Sequence, residues 1–155
     1  MEKTKTCFFI GHRDAPPDVA PLLDAAVEHH ITKYGVSCFI VGHYGTFDSM
    51  AAGAVKRAKQ RHEGVELLLL LPYHPAERLI KIEDGFNGTY YPEGMETVPK
   101  RYAIARANEY VIRHACDYLI CYDRYLATKT HDFVALARAR AAKGGLRVEN
   151  LAELL

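Results

Sequence analysis

Apolar and polar residues along this chain follow two periods that take turns. Short runs in which nearly every position is apolar, such as Thr6-Cys7-Phe8-Phe9-Ile10 and Phe39-Ile40-Val41, break off at a glycine. Their aromatic and β-branched content suits strands buried on both faces. Longer stretches follow them in which apolar residues recur three and four apart, the spacing of an amphipathic helix. The pattern predicts strands over 6–10, 37–41, 65–71 and 117–122 and a closing edge strand over 147–151. It predicts helices over 18–34, 49–61, 99–116 and 128–143, three of them stopped by Gly35, Gly64 and the Gly144-Gly145 pair.

The stretch between the third strand and the third long helix is less regular. Pro72-Tyr73-His74-Pro75 closes the strand, a short helix is expected over 76–83, and the turn-rich segment 84–94 has room for a brief strand over 89–91. A long irregular segment in a compact domain is often a functional or lid loop. Strands alternating with helices along the whole length predict an α/β protein: a three-layer Rossmann-like sandwich around a doubly wound, mostly parallel sheet with right-handed crossovers. At 155 residues this is one domain, 1–155, large enough to bury roughly two thirds of its unfolded surface.

Charge and composition narrow the function. A formal net charge of +1 offers no basic footprint for bulk nucleic acid. The longest apolar run, 67–71, is far too short to cross a bilayer, and the Met1-Glu2-Lys3-Thr4-Lys5 start has no apolar leader behind it, so a cytoplasmic location is expected. Cys7, Cys38, Cys116 and Cys121 form no C-x-x-C pair and read as reduced, buried thiols. The eight histidines include no H-x-H, H-x-x-x-H or H-E-x-x-H spacing, and zinc needs three or four ligands. No metal and no cofactor are expected.

One stretch carries the candidate chemistry. Val41-Gly42-His43-Tyr44-Gly45-Thr46-Phe47-Asp48 runs from a strand through a glycine turn into a helix, with Thr46 or Asp48 placed to cap it. Backbone N–H groups and the helix dipole there can face an anion. Gly11-His12-Arg13, after the first strand, forms a second corner. In a parallel sheet the carboxyl ends of neighbouring strands lie side by side and ligands sit beyond them. If these two strands are neighbours, His12 and Arg13 face His43, Tyr44 and Asp48.

Each residue keeps an alternative. Gly42 and Gly45 either let backbone approach a phosphate or simply turn the chain. Asp48 meets a ribose hydroxyl or a bridging cation, or only caps its helix. Arg13 is a counter-charge for phosphate or carboxylate, or pairs with Asp14, Asp48 or Glu109. His12 touches ligand or makes a local hydrogen bond. Tyr44, Tyr90, Tyr91, Tyr122 and Tyr125 either stack on a base or pack under loops.

Three motifs together resemble a known family. Phe9-Ile10-Gly11-His12-Arg13 resembles the F-x-G-H-R signature of the YpsA-like branch of the SLOG superfamily, the Rossmann-like group that includes DprA and the cytokinin-activating "lonely guy" enzymes. Gly42 to Asp48 resembles its G-x-x-G-x-F-D loop, and Arg106-Ala107-Asn108 its R-x-N element. The resemblance implies a small-molecule site for a nucleotide, a nucleotide-derived signal or a ribosyl phosphate at the carboxyl edge of the sheet. Gly42, Gly45 and the following helix would hold phosphate there, with Arg13 as counter-charge and Asp48 on a sugar hydroxyl. Arg106 and Asn108 would contribute from the penultimate helix, and Thr130 from a second phosphate-facing helix. The hydrolase branch also has a P-G-G-x-G-T-x-x-E element; here its glycines are missing and Phe133 stands where its glutamate falls.

Three readings follow. The leading one is a nucleotide-binding module. The second is a phosphoribohydrolase-like hydrolase of N-glycosidic bonds, which needs Asp132, Glu109 or Asp48 to supply the missing carboxylate. The third is a ligand-free structural or regulatory homo-oligomer that uses its leucine- and alanine-rich helices as an interface.

Overall fold

A computed structural model of the chain describes residues 4–76 and 81–155. In chain order the elements are β1 (Thr6–Gly11), α1 (Val19–Tyr34), β2 (Cys38–Val41), α2 (Thr46–Lys59), β3 (Glu66–Leu70), β4 (Gly88–Tyr90), α3 (Ala103–Tyr110), β5 (Tyr118–Tyr122), α4 (Lys129–Ala142) and β6 (Arg147–Asn150). The six strands form one sheet in the order β4-β3-β2-β1-β5-β6, and all five pairings are parallel.

Side-chain alternation explains why the strand sequences are apolar throughout. Cys7 and Phe9 of β1, with Phe39 and Val41 of β2, enter a core that α1 and α2 cover. Phe8 and Ile10, with Cys38 and Ile40, enter a second core under α3 and α4. A strand covered on both faces has no solvent-facing position to keep polar. This is the three-layer α/β sandwich that the sequence pattern predicts. All four cysteines are free and buried, and no helix among the described residues is long and apolar enough to cross a membrane.

Several boundaries differ from the pattern. Of the short helix expected over 76–83, residues 77–80 lie outside the described ones and 81–83 are not helical, while 88–90 forms the edge strand β4. The single helix expected over 99–116 divides into a 3₁₀ turn at Lys100–Tyr102, α3, and a π turn at Val111–Ala115. Arg140 of α4 donates to the carbonyls of Ile112 and Cys116 at 2.7 Å each, serving polar groups that this widened turn leaves exposed to the core. Helix α2 starts at Thr46, three residues earlier than the apolar pattern predicts.

Candidate functional site

The strand order reverses at β1: the chain leaves it for β2 on one side and returns to β5 on the other. A crevice beyond the carboxyl ends of the strands is the consequence in a doubly wound sheet. A cavity of about 610 Å³ lies there, lined by the ends of β1 and β2, one face of α3 and the start of α4.

Three small residues bring its walls together. The backbone N–H of Thr46 donates to the Arg13 carbonyl at 2.7 Å, so the two glycine corners touch. Gly45 adopts φ of 105°, and a Cβ there would lie 2.7 Å from the Arg13 Cα. A Cβ on Gly11 would overlap the ring of Phe47, and one on Gly42 would lie 2.8 Å from Asp48 Oδ2. Both corners therefore need glycine for close packing, and Gly45 also for its positive φ.

Asp48 does not cap α2. The N-cap is Gly45, which has no side chain to offer, and Asp48 reaches back from the first turn so that the Tyr44 N–H donates to its Oδ2 at 3.1 Å. Burial pushes the Asp48 carboxyl up to about 7, against the opposing pull of the Tyr44 N–H and the Arg13 charge. A carboxyl with that value can give or take a proton near neutral pH.

Gly11, His12, Arg13, Gly42, Asp48, Asn108 and Thr130 line the cavity. His43, Gly45 and Arg106 do not. His43 is exposed, its ring 4.5 Å from that of Tyr44, and partial burial lowers its pKa. Gly45 stands behind Arg13 as a spacer. Arg106 is exposed because the cavity-facing stripe of this segment runs through Arg101, Ile104, Ala105 and Asn108, positions one helical face apart. Arg101 and Lys129 supply cationic groups that the motif reading left out; the seven-residue spacing from Arg101 to Asn108 was the available signal. Phe133 forms an apolar wall, whereas Glu109 and Asp132 lie off the cavity.

His12 is 5% exposed, and its Nε2 accepts from the backbone N–H groups of Arg124 at 2.9 Å and Tyr125 at 3.3 Å. Two N–H donors on one ring nitrogen fix the neutral tautomer with its proton on Nδ1. Burial lowers the His12 pKa, although Asp123 and Asp14 pull it the other way. The segment after β5 is pinned elsewhere too. Asn150 Oδ1 accepts from the Asp123 N–H and its Nδ2 donates to the Asp123 carbonyl. His131 Nδ1 pairs with Asp123 Oδ2 at 2.8 Å, and the Thr128 hydroxyl donates to the Tyr125 carbonyl.

The cationic groups of the cavity are Arg13, Arg101 and Lys129, the acidic ones Asp14 and Asp48. Among the described residues none of the three cations is in an ion pair, and no group of three or more potential metal ligands occurs. Three cationic side chains outside any ion pair, the first turns of two helices and an apolar floor of Phe9, Ile10 and Ile104 suit an anion that carries an apolar or aromatic body. No protein-family model and no curated protein sequence matches the chain.

Proposed function

We propose that the protein is a SLOG-type module that binds a nucleotide or nucleotide-derived phosphate at the carboxyl edge of its sheet. The observation that carries this reading is the convergence of Arg13, Arg101 and Lys129 on one cavity above the point where strand order reverses. The resemblance assigns phosphate to Gly42, Gly45 and the start of α2; Gly42 lines the cavity and Gly45 does not, so this reading moves the phosphate toward Arg13 and α4. Phosphate meets Arg13 and the first turn of α4, Asp48 meets a sugar hydroxyl, and the apolar floor takes the base. The reading includes a cytoplasmic location and a homo-oligomer, the latter to be checked by light scattering on the purified chain.

The test is calorimetric titration with adenosine monophosphate. Saturable binding that weakens about thirtyfold in Arg13→Ala is expected, the loss of one charge-assisted contact. Absence of binding by the wild type sinks the reading. A hydrolase is favoured by one observation, the Asp48 carboxyl at about 7 inside the cavity. Release of free base from nucleoside monophosphates, abolished in Asp48→Asn, is its test.

A further inference from the structure

The segment that closes the cavity on the β5 side has two consecutive backbone N–H groups on one imidazole nitrogen. Tyr125 lines the cavity and is 52% exposed, so little apolar packing holds it in place. Its N–H side is held by the pair of backbone bonds from Arg124 and Tyr125 to His12 Nε2 and by the His12 ring, whose centroid lies 5.0 Å from that of Tyr125, while its carbonyl accepts from the Thr128 hydroxyl at 2.8 Å. An imidazole accepts at Nε2 only while that nitrogen is unprotonated; once protonated it is a donor facing two donors.

We propose that His12 is a positioning residue whose unprotonated Nε2 latches the 124–125 backbone, keeping Tyr125 as the wall of the cavity mouth, and that protonation of this nitrogen releases it. The latch stands on the geometry alone; its consequence for ligands rests on the nucleotide reading.

The surroundings set where the latch opens. Asp123 and Asp14 draw a proton toward His12, and burial outweighs them. Asp123 is itself engaged by His131 from α4. Arg13, Asp48 and Lys129 line the same cavity, and the ring of Tyr122 meets His12 edge-on at 5.6 Å. The balance holds the His12 pKa below the ordinary imidazole value of 6.5. The latch is therefore closed at neutral pH and opens on acidification. The neighbouring Asp123 N–H, held by Asn150 Oδ1, has an acceptor that does not titrate.

Amide hydrogen exchange measured by NMR, corrected for intrinsic rates, tests this between about pH 8 and about pH 5. Protection of the Arg124 and Tyr125 amides should fall by about tenfold, while that of Asp123 persists. His12→Gln, whose side-chain oxygen accepts without titrating, should keep protection flat across the range. His12→Phe should lack protection throughout; should it fail to fold, the wild-type and Gln series still decide. Unchanged protection at 124–125 in the wild type, or equal loss at Asp123, overturns the latch.

Adenosine monophosphate titrated over the same range should lose affinity about tenfold more in the wild type than in His12→Gln, since the titrations of its phosphate and of Asp48 are common to both. Equal losses overturn the positioning role. No binding to either protein instead rejects the nucleotide reading, and the amide pattern still judges the latch.

Discussion

The sheet has a hollow at each end, and the larger one is the poorer candidate. At the amino edge about 760 Å³ opens among Lys5, Tyr34, Asp117, Tyr118 and Arg147, against about 610 Å³ at the carboxyl edge. The amino-edge groups are already engaged. Lys5 Nζ donates to the Tyr34 carbonyl at 2.9 Å, Asp117 Oδ2 accepts from the Thr6 N–H at 3.0 Å, and Arg147 lies over the Tyr34 ring, which itself stacks on Tyr118. Helix α1 ends there at Gly35, so its carbonyls and the negative end of its dipole face that hollow. At the carboxyl edge α2 and α4 begin, and among the described residues Arg13, Arg101 and Lys129 are in no ion pair, although Arg101 lies over the Tyr102 ring at 4.9 Å. Cations outside ion pairs and helix polarity mark a ligand site where size does not.

The largest expected effect concerns Asp48, the half-buried carboxyl in the wall of the carboxyl-edge cavity. Asp48 stays protonated in the native state up to about 7, whereas its unfolded-state value is near the usual 3.8. Below the lower value both states are protonated and nothing is lost. As pH rises from there to about 7 only the unfolded chain ionises, so stability falls, levelling off above the native value. The rise corresponds to on the order of 4 kcal/mol. Asp48→Asn removes it, so urea titrations should give a variant that gains on the wild type steadily between about pH 4 and about pH 8. His12 has the opposite slope: its lowered pKa costs stability as pH falls below about 6.5. That slope is common to both proteins and cancels in the difference. A constant gap between variant and wild type refutes the buried-carboxyl account.

A second contrast uses two glycines with positive φ, one at each end. Gly35 has φ of 73° and open space where a Cβ would go, whereas at Gly45 the Cβ would press on the Arg13 backbone. Gly35→Ala should cost about 1 kcal/mol, the left-handed penalty alone. Gly45→Ala adds overlap and should cost about 3 kcal/mol. Denaturant unfolding of the pair checks this. Equal costs mean that the two corners are not in contact.

Local pattern revealed what is local. The all-apolar runs announced strands buried on both faces, and Gly35 and Thr128 marked helix ends that the structure has. The pattern did not reveal where helix-terminal polar groups find partners. Asp48 looks like a cap by position, yet its partner is Tyr44, because Gly45 brings the chain in on a left-handed turn. Arg106 carries the motif, but α3 turns it away, and the 3₁₀ turn before α3 presents Arg101 instead. The His12 bond to Arg124 spans 112 positions. No periodicity encodes such a contact; it exists only because β1 and β5 pair from Cys7↔Tyr118 to Gly11↔Tyr122, setting the two strand ends side by side.

The smallest effects lie at the amino edge, and they separate the hollows most directly. Lys5 is exposed and serves one carbonyl at the end of α1. Lys5→Met should therefore cost less than about 1 kcal/mol. Arg147, also exposed, contributes a cation over a ring, and Arg147→Met should cost about the same. Neither change should move adenosine monophosphate affinity by more than about twofold, because charges more than a Debye length away are screened at physiological salt. If either substitution weakened binding as much as Arg13→Ala does, the anion would be held by the groups around Tyr34. The carboxyl-edge cavity would then be the one whose charges serve only the fold.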